Sequence, residues 1–556
     1  MKDDFSSSLK INSYPFSENS GYELNQEIAN HWPIVYILKN DNKKEAYIGE
    51  TLNGISRFRD HLSNAERRSL KELLIISCDK FNKSATLHIE SLLIQYMDGD
   101  KKYSLQNGNA GISSQNNYYQ KERYKLLFNE LWSKLLEKDY AKNEINRIDN
   151  NDYFKYSPYK SLSEDQRRSI IQILHSLVNK ESKIFVEGGA GTGKTVLAIY
   201  LMKLLTTSIQ DYHLDDSDQV YSKDIELVER FKDRYPELKV ALVIPMTSLR
   251  STLKKVFSSI KGLKANMVIG PSEVAKQKYD LLLIDESHRL RKRKNLTNYG
   301  SFDAVNTKLG FNHGSTELDW VLKQSTNQLF FYDEYQSIRP SDISAERFSE
   351  EKLSAEKISL TSQHRINGGV DYTEFVDNLL QCKSQKSFND SSYELILFDD
   401  INSMHEKLKE KEQKFGLCRM LAGYSWEWKS KKDSFAKDIQ IDGESYIWNK
   451  TNNNWINSPN AINEIGCIHT SQGYDLNYAG IIFGNEILYD SKTNSMHIDD
   501  TKYFDKNGKR GIDNPEKLKA YIINIYKTML LRGIKGTYLY VCNRELREYF
   551  KQFIDT

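Results

Sequence analysis

The sequence predicts an α/β protein: a small α+β domain followed by two lobes, each built on a parallel β-sheet. Three observations carry this. The chain has 556 residues, too many for one ordinary core. Four apolar runs after Ser161 (KIFVE, VALVIP, LLLID and QLFFYD) alternate with helix-forming stretches, the pattern of a parallel sheet covered on both faces. A second alternating set begins near Lys357, with KISL, YELILF, EIGCIHT, AGIIFG and TYLYV.

Residues 1–30 are polar and read as a lead-in. Residues 31–115 form the small domain. There, IVYILK and EAYIGE flank the polar Asn40–Lys44 segment as a β-hairpin, and GISRFRDHL and ATLHIESLLIQYM read as helices. The Gly/Asn-rich QNGNAGISSQNN closes it. Residues 116–160 are a charged helical linker, KERYKLLFNELWSKLLEK. The lobes take residues 161–350 and 351–556, with an insertion near 421–460.

Composition narrows the classes. Hydrophobic residues make up 39% and charged residues 28%, a soluble globular balance. A net charge of +2 provides no global basic field, so nucleic acid would be met by local patches. Cys78, Cys382, Cys418, Cys467 and Cys542 form no CxxC pair, which argues against a zinc site or a disulfide framework and for a reducing compartment. No apolar run approaches the ~18 residues that span a bilayer, and MKDDFSSSLK lacks the apolar stretch of a secretory signal. A cytoplasmic protein without a membrane partner is expected; a protein partner or a homo-oligomer stays open.

The strongest motif is Gly188-Gly189-Ala190-Gly191-Thr192-Gly193-Lys194-Thr195. It matches GxxxxGK[ST] between an apolar strand and a helix-forming stretch. Glycines let backbone N–H groups wrap phosphates, and the following helix N-terminus favours negative charge. Lys194 would meet the β- and γ-phosphates of ATP, and Thr195 would hold Mg2+. LLLIDESH then ends a strand in two acids: Asp285 would hold Mg2+ and Glu286 would activate the attacking water.

From here the chain resembles superfamily 1 helicases, because further motifs follow in that family's order. The resemblance implies two RecA-like motor lobes with ATP between them. It assigns Gln166 of LSEDQ to the adenine, Pro245–Ser248 to the nucleic-acid backbone, and Asp333 and Gln336 of FFYDEYQSIRP to γ-phosphate sensing. Arg365 of TSQHR and Arg532 of the last motif would be arginine fingers, and Gln472 and Gly473 of HTSQGYDL would couple the sites. The stretches RMLAGYSWEWKS, EIGCIHTSQGYDLNYAGIIFG and YKTMLLRGIKGTYLYV look like bacterial P-loop ATPases related to the helicase part of Schlafen proteins.

The hairpin carries Tyr36 and, 11 residues on, Tyr47 of a literal YIG; Arg57, His61, Glu90 and Asn107 follow. Arg57 and His61 share one helix face. The ordered set resembles GIY-YIG nucleases, although Val35 and Ile34 stand where the first triplet has Ile and Gly. By that resemblance Tyr36 and Tyr47 would position or deprotonate the attacking water, and Arg57 would neutralise the scissile phosphate. His61 would support the tyrosine or the leaving group. Glu90 would bind one divalent ion, Mg2+ or Mn2+, as Lewis acid. Asn107, or alternatively Asn109, would brace the site.

The implied protein is an ATP-dependent nuclease–helicase acting on DNA or RNA, a fusion typical of antiphage defence or repair. Two rivals remain: an ATPase that serves only as a switch, and an N-terminal unit that only binds. His288 reads either as a coupling residue or as a packed loop histidine. RLRKRKN reads either as a backbone path or as a solvated face. Trp426, Trp428, Trp448 and Trp455 read either as a stacking platform or as a hydrophobic plug.

Overall fold

A computed structural model describes residues 8–17, 30–107, 118–160, 162–208, 219–336, 339–363, 366–433, 435–451, 454–471, 473–512 and 514–556. Asn109, Arg365 and Gln472 therefore lie outside the described residues. The chain divides into two compact units: residues 1–178, 195–237 and 252–268 in one, residues 179–194, 238–251 and 269–556 in the other.

In the first unit a five-stranded sheet has the order β1-β4-β2-β3-β5. The strands are β1 (Lys10–Pro15), β2 (Asn30–Asn40), β3 (Glu45–Asn53), β4 (Glu72–Ser77) and β5 (Ser104–Leu105). β2 and β3 are the expected antiparallel hairpin, with Tyr36 opposite Gly49 and Leu38 opposite Tyr47. Asn40 closes the turn by accepting from the Asn42 and Lys43 N–H groups, and Lys44 takes a left-handed φ of 54°. β1 falls in the stretch read as a lead-in. Its polar, half-exposed residues carry no strand signal of their own, and pairing with β4 makes it an edge strand.

Ile34, Tyr36 and Leu38 alternate onto one face of the sheet and pack with Tyr47, Phe58, Leu73 and Ile75. Val35 and Ile37 are as fully buried on the other face, which is why the run is apolar throughout. Two helices follow, Gly54–Ser63 and Lys83–Asp100, N-capped by Asn53 and Asn82. The second also buries polar residues, and these fasten the segment behind it. Asp100 accepts from the N–H groups of Lys142 and Asn143, and Asp98 accepts from Ser157.

The second unit holds the two parallel sheets. One has the order β11-β6-β10-β9-β7-β8, with β6 (Lys183–Gly188), β7 (Val240–Val243), β8 (Val268–Ile269), β9 (Tyr279–Ile284), β10 (Ser325–Tyr332) and β11 (Glu356–Leu360). Phe185 and Phe330 stack at 4.7 Å in its core. The other has the order β12-β20-β17-β13-β16, with β12 (Glu394–Phe398), β13 (Cys418–Ala422), β16 (Ile465–Gly466), β17 (Leu476–Phe483) and β20 (Gly533–Val541). β17 is buried along its whole length, as a central parallel strand must be. Hairpins β14 (Ile439–Ile441) with β15 (Glu444–Tyr446), and β18 (Ile487–Asp490) with β19 (Ser495–Ile498), stand outside it.

The insertion is anchored: Trp448 and Trp455 are core residues, and Trp455 Nε1 donates to Glu464. For these two tryptophans the plug reading holds. Among the described residues no helix is long and apolar enough to cross a membrane.

Candidate functional site

The parallel sheet places three motif loops side by side. β6, β10 and β9 are neighbours, so the phosphate-loop motif, Asp333 and Asp285 follow their ends on one edge, where open α/β sheets bind ligands. Gly191 and Gly193 take φ of +86° and +80°, open to glycine at little cost. A Cβ on Gly191 would stand 2.0 Å from Gln363 Oε1, and Gln363 Nε2 donates to the Ala190 carbonyl at 2.6 Å. Thr192 Oγ1 bonds the Gly189 carbonyl at 3.1 Å. Lys194 is buried; its Nζ donates to the carbonyls of Gly188 (2.5 Å) and Gly189 (2.8 Å) and lies 3.6 Å from Asp333 Oδ2. A cation seated in a glycine turn fits a polyphosphate. Asp285 supplies a hard oxygen of the kind Mg2+ takes; Thr195 stands in the first turn of helix Lys194–Thr206.

Asp285 is buried and its Oδ1 accepts from the Glu286 N–H. Glu286 holds φ of +50°, a strained conformation for a side chain of its size. His288 Nε2 lies 2.9 Å from Glu286 Oε2. Burial pushes the Glu286 carboxyl up, but the His288 contact and the charges of Lys194 and Arg532 outweigh it and leave the group below its ordinary range. Glu286 is thus a carboxylate at neutral pH. Arg532 is only 2% exposed, and its Nη1 donates to the Tyr474 carbonyl at 3.3 Å. Gln336 donates to Asp333 at 2.6 Å. Gly473 takes φ of +86°; a Cβ there would meet Met246 Cε at 3.3 Å.

Gln166 has a local task. Its Oε1 accepts from the Ser163 N–H while Ser163 Oγ accepts from its own N–H, a reciprocal cap on helix Glu164–Asn179.

In the first unit the tyrosine set comes together. Tyr36 is fully buried, its hydroxyl 2.6 Å from His61 Nε2 and 3.4 Å from the donating Arg57 Nε. The Tyr36 and Tyr47 rings are 6.3 Å apart, and Tyr47 meets His61 at 4.9 Å. Gly49, the glycine of YIG, is required by close approach: its Cβ would lie 2.3 Å from Tyr36 Oη. Asn107 pins β3 beside it, accepting from the Ile48 N–H (3.1 Å) and donating to the Ile48 carbonyl (2.8 Å). Burial, then Tyr47, pushes the Tyr36 hydroxyl well above its ordinary value; Arg57 opposes this and Glu90 adds to it. Of the two roles expected for Tyr36, positioning a water needs the neutral phenol, whereas deprotonating one needs the phenolate that burial disfavours.

Sequence reasoning missed Arg67. It donates from Nη1 to His61 Nδ1 at 2.7 Å, and its guanidinium sits 3.9 Å above the Tyr47 ring. Arginine only donates, so His61 Nδ1 is the acceptor, and the proton of the neutral ring is on Nε2, directed at Tyr36. It also missed Glu50, buried beside Gly49 with Lys83 and Thr86 as partners. Neither residue has a motif spacing that would have singled it out. Among the described residues no group of three or more His, Cys, Asp or Glu side chains could hold a metal ion.

Two parallel sheets with a phosphate loop after one strand and acids after its neighbours define a helicase-type P-loop motor of RecA-like lobes. Residues 181–543 match the family model described as Schlafen group 3, DNA/RNA helicase domain. The chain belongs to that family. An uncharacterised protein of Saccharomyces cerevisiae is 25% identical over 403 residues, 65% of this chain and 82% of the yeast protein. Among solved structures, Pif1 of a Bacteroides species in complex with ADP-AlF4 is 11% identical, covers 71% of this chain and 97% of its own, and has a TM-score of 0.27. An arterivirus helicase, nonstructural protein 10, is 10% identical with a TM-score of 0.27; the match covers 68% of this chain and 63% of the viral one, under two thirds of its length. The family match starts at residue 181, so the tyrosine cluster stands on its own geometry.

Proposed function

We propose that the chain is an ATP-driven nucleic-acid motor carrying a phosphodiester-cleaving domain at its N-terminal end. The observation that carries the motor reading is Lys194, seated in the glycine turn 3.6 Å from Asp333. In this reading Lys194 and the loop amides hold the ATP phosphates, while Thr195 and Asp285 hold Mg2+, which neutralises phosphate charge when bound. Glu286 accepts the proton of the attacking water. Arg532 and Arg365 neutralise charge that develops on the phosphate, and Gln336 reports through Asp333 whether the phosphate is in place.

In the cleaving domain Arg57 neutralises the scissile phosphate of DNA or RNA, and Tyr36 and Tyr47 position the water. His61 orients Tyr36. A single divalent ion, Mg2+ or Mn2+, would rest on Glu90, completed by phosphate and water oxygens. Proximity of Tyr36, Arg57, His61 and Glu90 supports this reading.

The test is a substrate panel of supercoiled DNA, single-stranded DNA and structured RNA, with and without ATP and Mg2+ or Mn2+. Lys194→Ala is expected to lower phosphate release at least ~100-fold, the scale of losing one preorganised charge, and Glu90→Gln to abolish cleavage alone. Nucleic-acid-stimulated hydrolysis without strand displacement would make the motor a switch. A wild type that cleaves nothing with either metal would leave the N-terminal domain a binding module.

A further inference from the structure

The seven tryptophans of the chain do not share one environment. Trp132, Trp320, Trp448 and Trp455 are fully buried, and Trp426 and Trp428 are partly covered. Trp32 alone is exposed, at 40%, and Leu52 across the hairpin is exposed at 48%. Single exposed apolar residues are ordinary; this pair is set apart by the way the backbone presents it. In β2 and β3, Asn30 faces Asn53 and Ile34 faces Thr51, with a register shift between them. His31, Trp32 and Pro33 therefore stand opposite Leu52 alone. Proline has no N–H to give the ladder, and extra residues in one strand re-aim the side chains they carry.

The exposed indole is nonetheless fixed. Its Nε1 donates to the Cys78 carbonyl, just past β4, at 3.0 Å. A ring anchored by one edge has little rotamer freedom left to lose on binding. Its neighbourhood favours anions. Leu52 leads through the N-cap Asn53 into helix Gly54–Ser63, whose first turn has no acidic residue and whose fourth residue is Arg57. The N-terminal end of a helix dipole and a guanidinium both favour a phosphate. A fixed flat apolar surface beside a phosphate-favouring helix end matches the two parts of a nucleotide, the base and its anionic linkage.

We propose that Trp32, with Leu52, is a stacking platform for one unpaired base of the strand whose phosphate Arg57 neutralises. Base faces inside a duplex are covered by their neighbours, so only a base out of the stack can lie on the indole. The N-terminal domain thus selects single strands, loops or junctions over intact duplex. It does so without reading sequence, because every base offers a π face. The proposal deepens the cleavage reading and rests on it.

Two measurements on the full chain test it. In the first, metal-free protein is irradiated with oligo-dT and oligo-U carrying a single 5-iodouracil, and crosslinked peptides are mapped by mass spectrometry. A crosslink at Trp32 is expected, and Trp32→Leu should remove it. In the second, cleavage of a single strand and of the same sequence as perfect duplex is followed with Mg2+ and with Mn2+. Losing one base stack weakens binding by about 10-fold or more, so Trp32→Ala should raise KM for the single strand by at least about 10-fold with kcat within about twofold. Trp32→Phe should keep most of the wild-type value, Leu52→Ser should lose less than Trp32→Ala, and the preference for single strand over duplex should vanish in Trp32→Ala. Basal ATP hydrolysis and melting temperature of Trp32→Ala should match wild type. Crosslinks that avoid Trp32, or a Trp32→Ala enzyme with the wild-type KM, overturn the platform and leave the cleavage reading standing. A Trp32 crosslink in a wild type that cleaves neither substrate overturns the cleavage reading and keeps the platform on a binding module; neither crosslink nor cleavage overturns both.

Discussion

The two units each contain an arginine–histidine contact of the same length. In the first, Arg67 Nη1 meets His61 Nδ1 at 2.7 Å; in the second, Arg339 Nη2 meets His469 Nδ1 at 2.7 Å. Arginine donates in both, so both rings are neutral and carry their proton on Nε2. What lies beyond Nε2 separates them. His61 faces the Tyr36 hydroxyl at 2.6 Å, a hydrogen bond that continues to Arg57. His469 faces Asp505 Oδ2 at 3.9 Å, too long for a hydrogen bond. Burial, then Arg339, lowers the His469 pKa to about 4. Burial and the nearby Arg289 likewise lower Arg339 to about 10. The same pair thus relays orientation to a hydroxyl in one unit and fastens the loop after β10 to helix Ile468–Ser471 in the other.

The sharpest way to break this comparison is Arg67→Gln. Without the guanidinium, His61 is free to put its proton on either nitrogen and Tyr36 loses a fixed donor. The cleavage proposed for this domain is expected to fall about 100-fold, as for a misplaced reacting group, with a shifted pH profile; Arg67→Lys, which still donates, should recover part of it. Single-turnover cleavage rates across pH measure this, and an unchanged profile would reduce Arg67 to packing.

Gly49→Ala comes next. The added methyl collides with fully buried Tyr36, and overpacking should cost about 2 kcal/mol, read as a lower melting temperature.

The smallest effect expected concerns His469. Its folded pKa, about 4, lies below the ordinary value of 6.5, so the unfolded chain takes the proton first on acidification. The stability is fully present above pH 6.5 and is lost as pH falls toward 4. With the ring partly exposed, the loss should be about 1–2 kcal/mol. His469→Gln should flatten that part of the melting-temperature curve relative to wild type; equal slopes would separate His469 from the acid response.

The phosphate loop was legible in the sequence because its work is local. The role proposed for Gly188 to Thr195 uses their own backbone amides and one lysine, so residue types at fixed spacing suffice. Tyr36, Tyr47, Arg57 and His61 were legible for a related reason: a hairpin and one helix turn bring them together within a short stretch. Arg67 and Glu50 were not, because a histidine's tautomer and a buried carboxylate's partners depend on which turn folds back onto the hairpin. Gln166 shows a local bond that the motif did not announce. Its motif position suggested adenine, whereas its visible hydrogen bond caps its own helix.

By itself the sequence determined the alternation of strands and helices, the helicase-type order of motifs and the glycine cradle, all of which follow from local periodicity and backbone freedom. The tertiary structure alone decided which charges are paired. Arg289, Arg291 and Arg293 find carboxylates from 10 to more than 50 residues away, while among the described residues Lys292 and Lys294 next to them do not. A charge run has no such preference in one dimension. The partner of a charge depends on what the packed chain brings near it, and on how much water the packing removes.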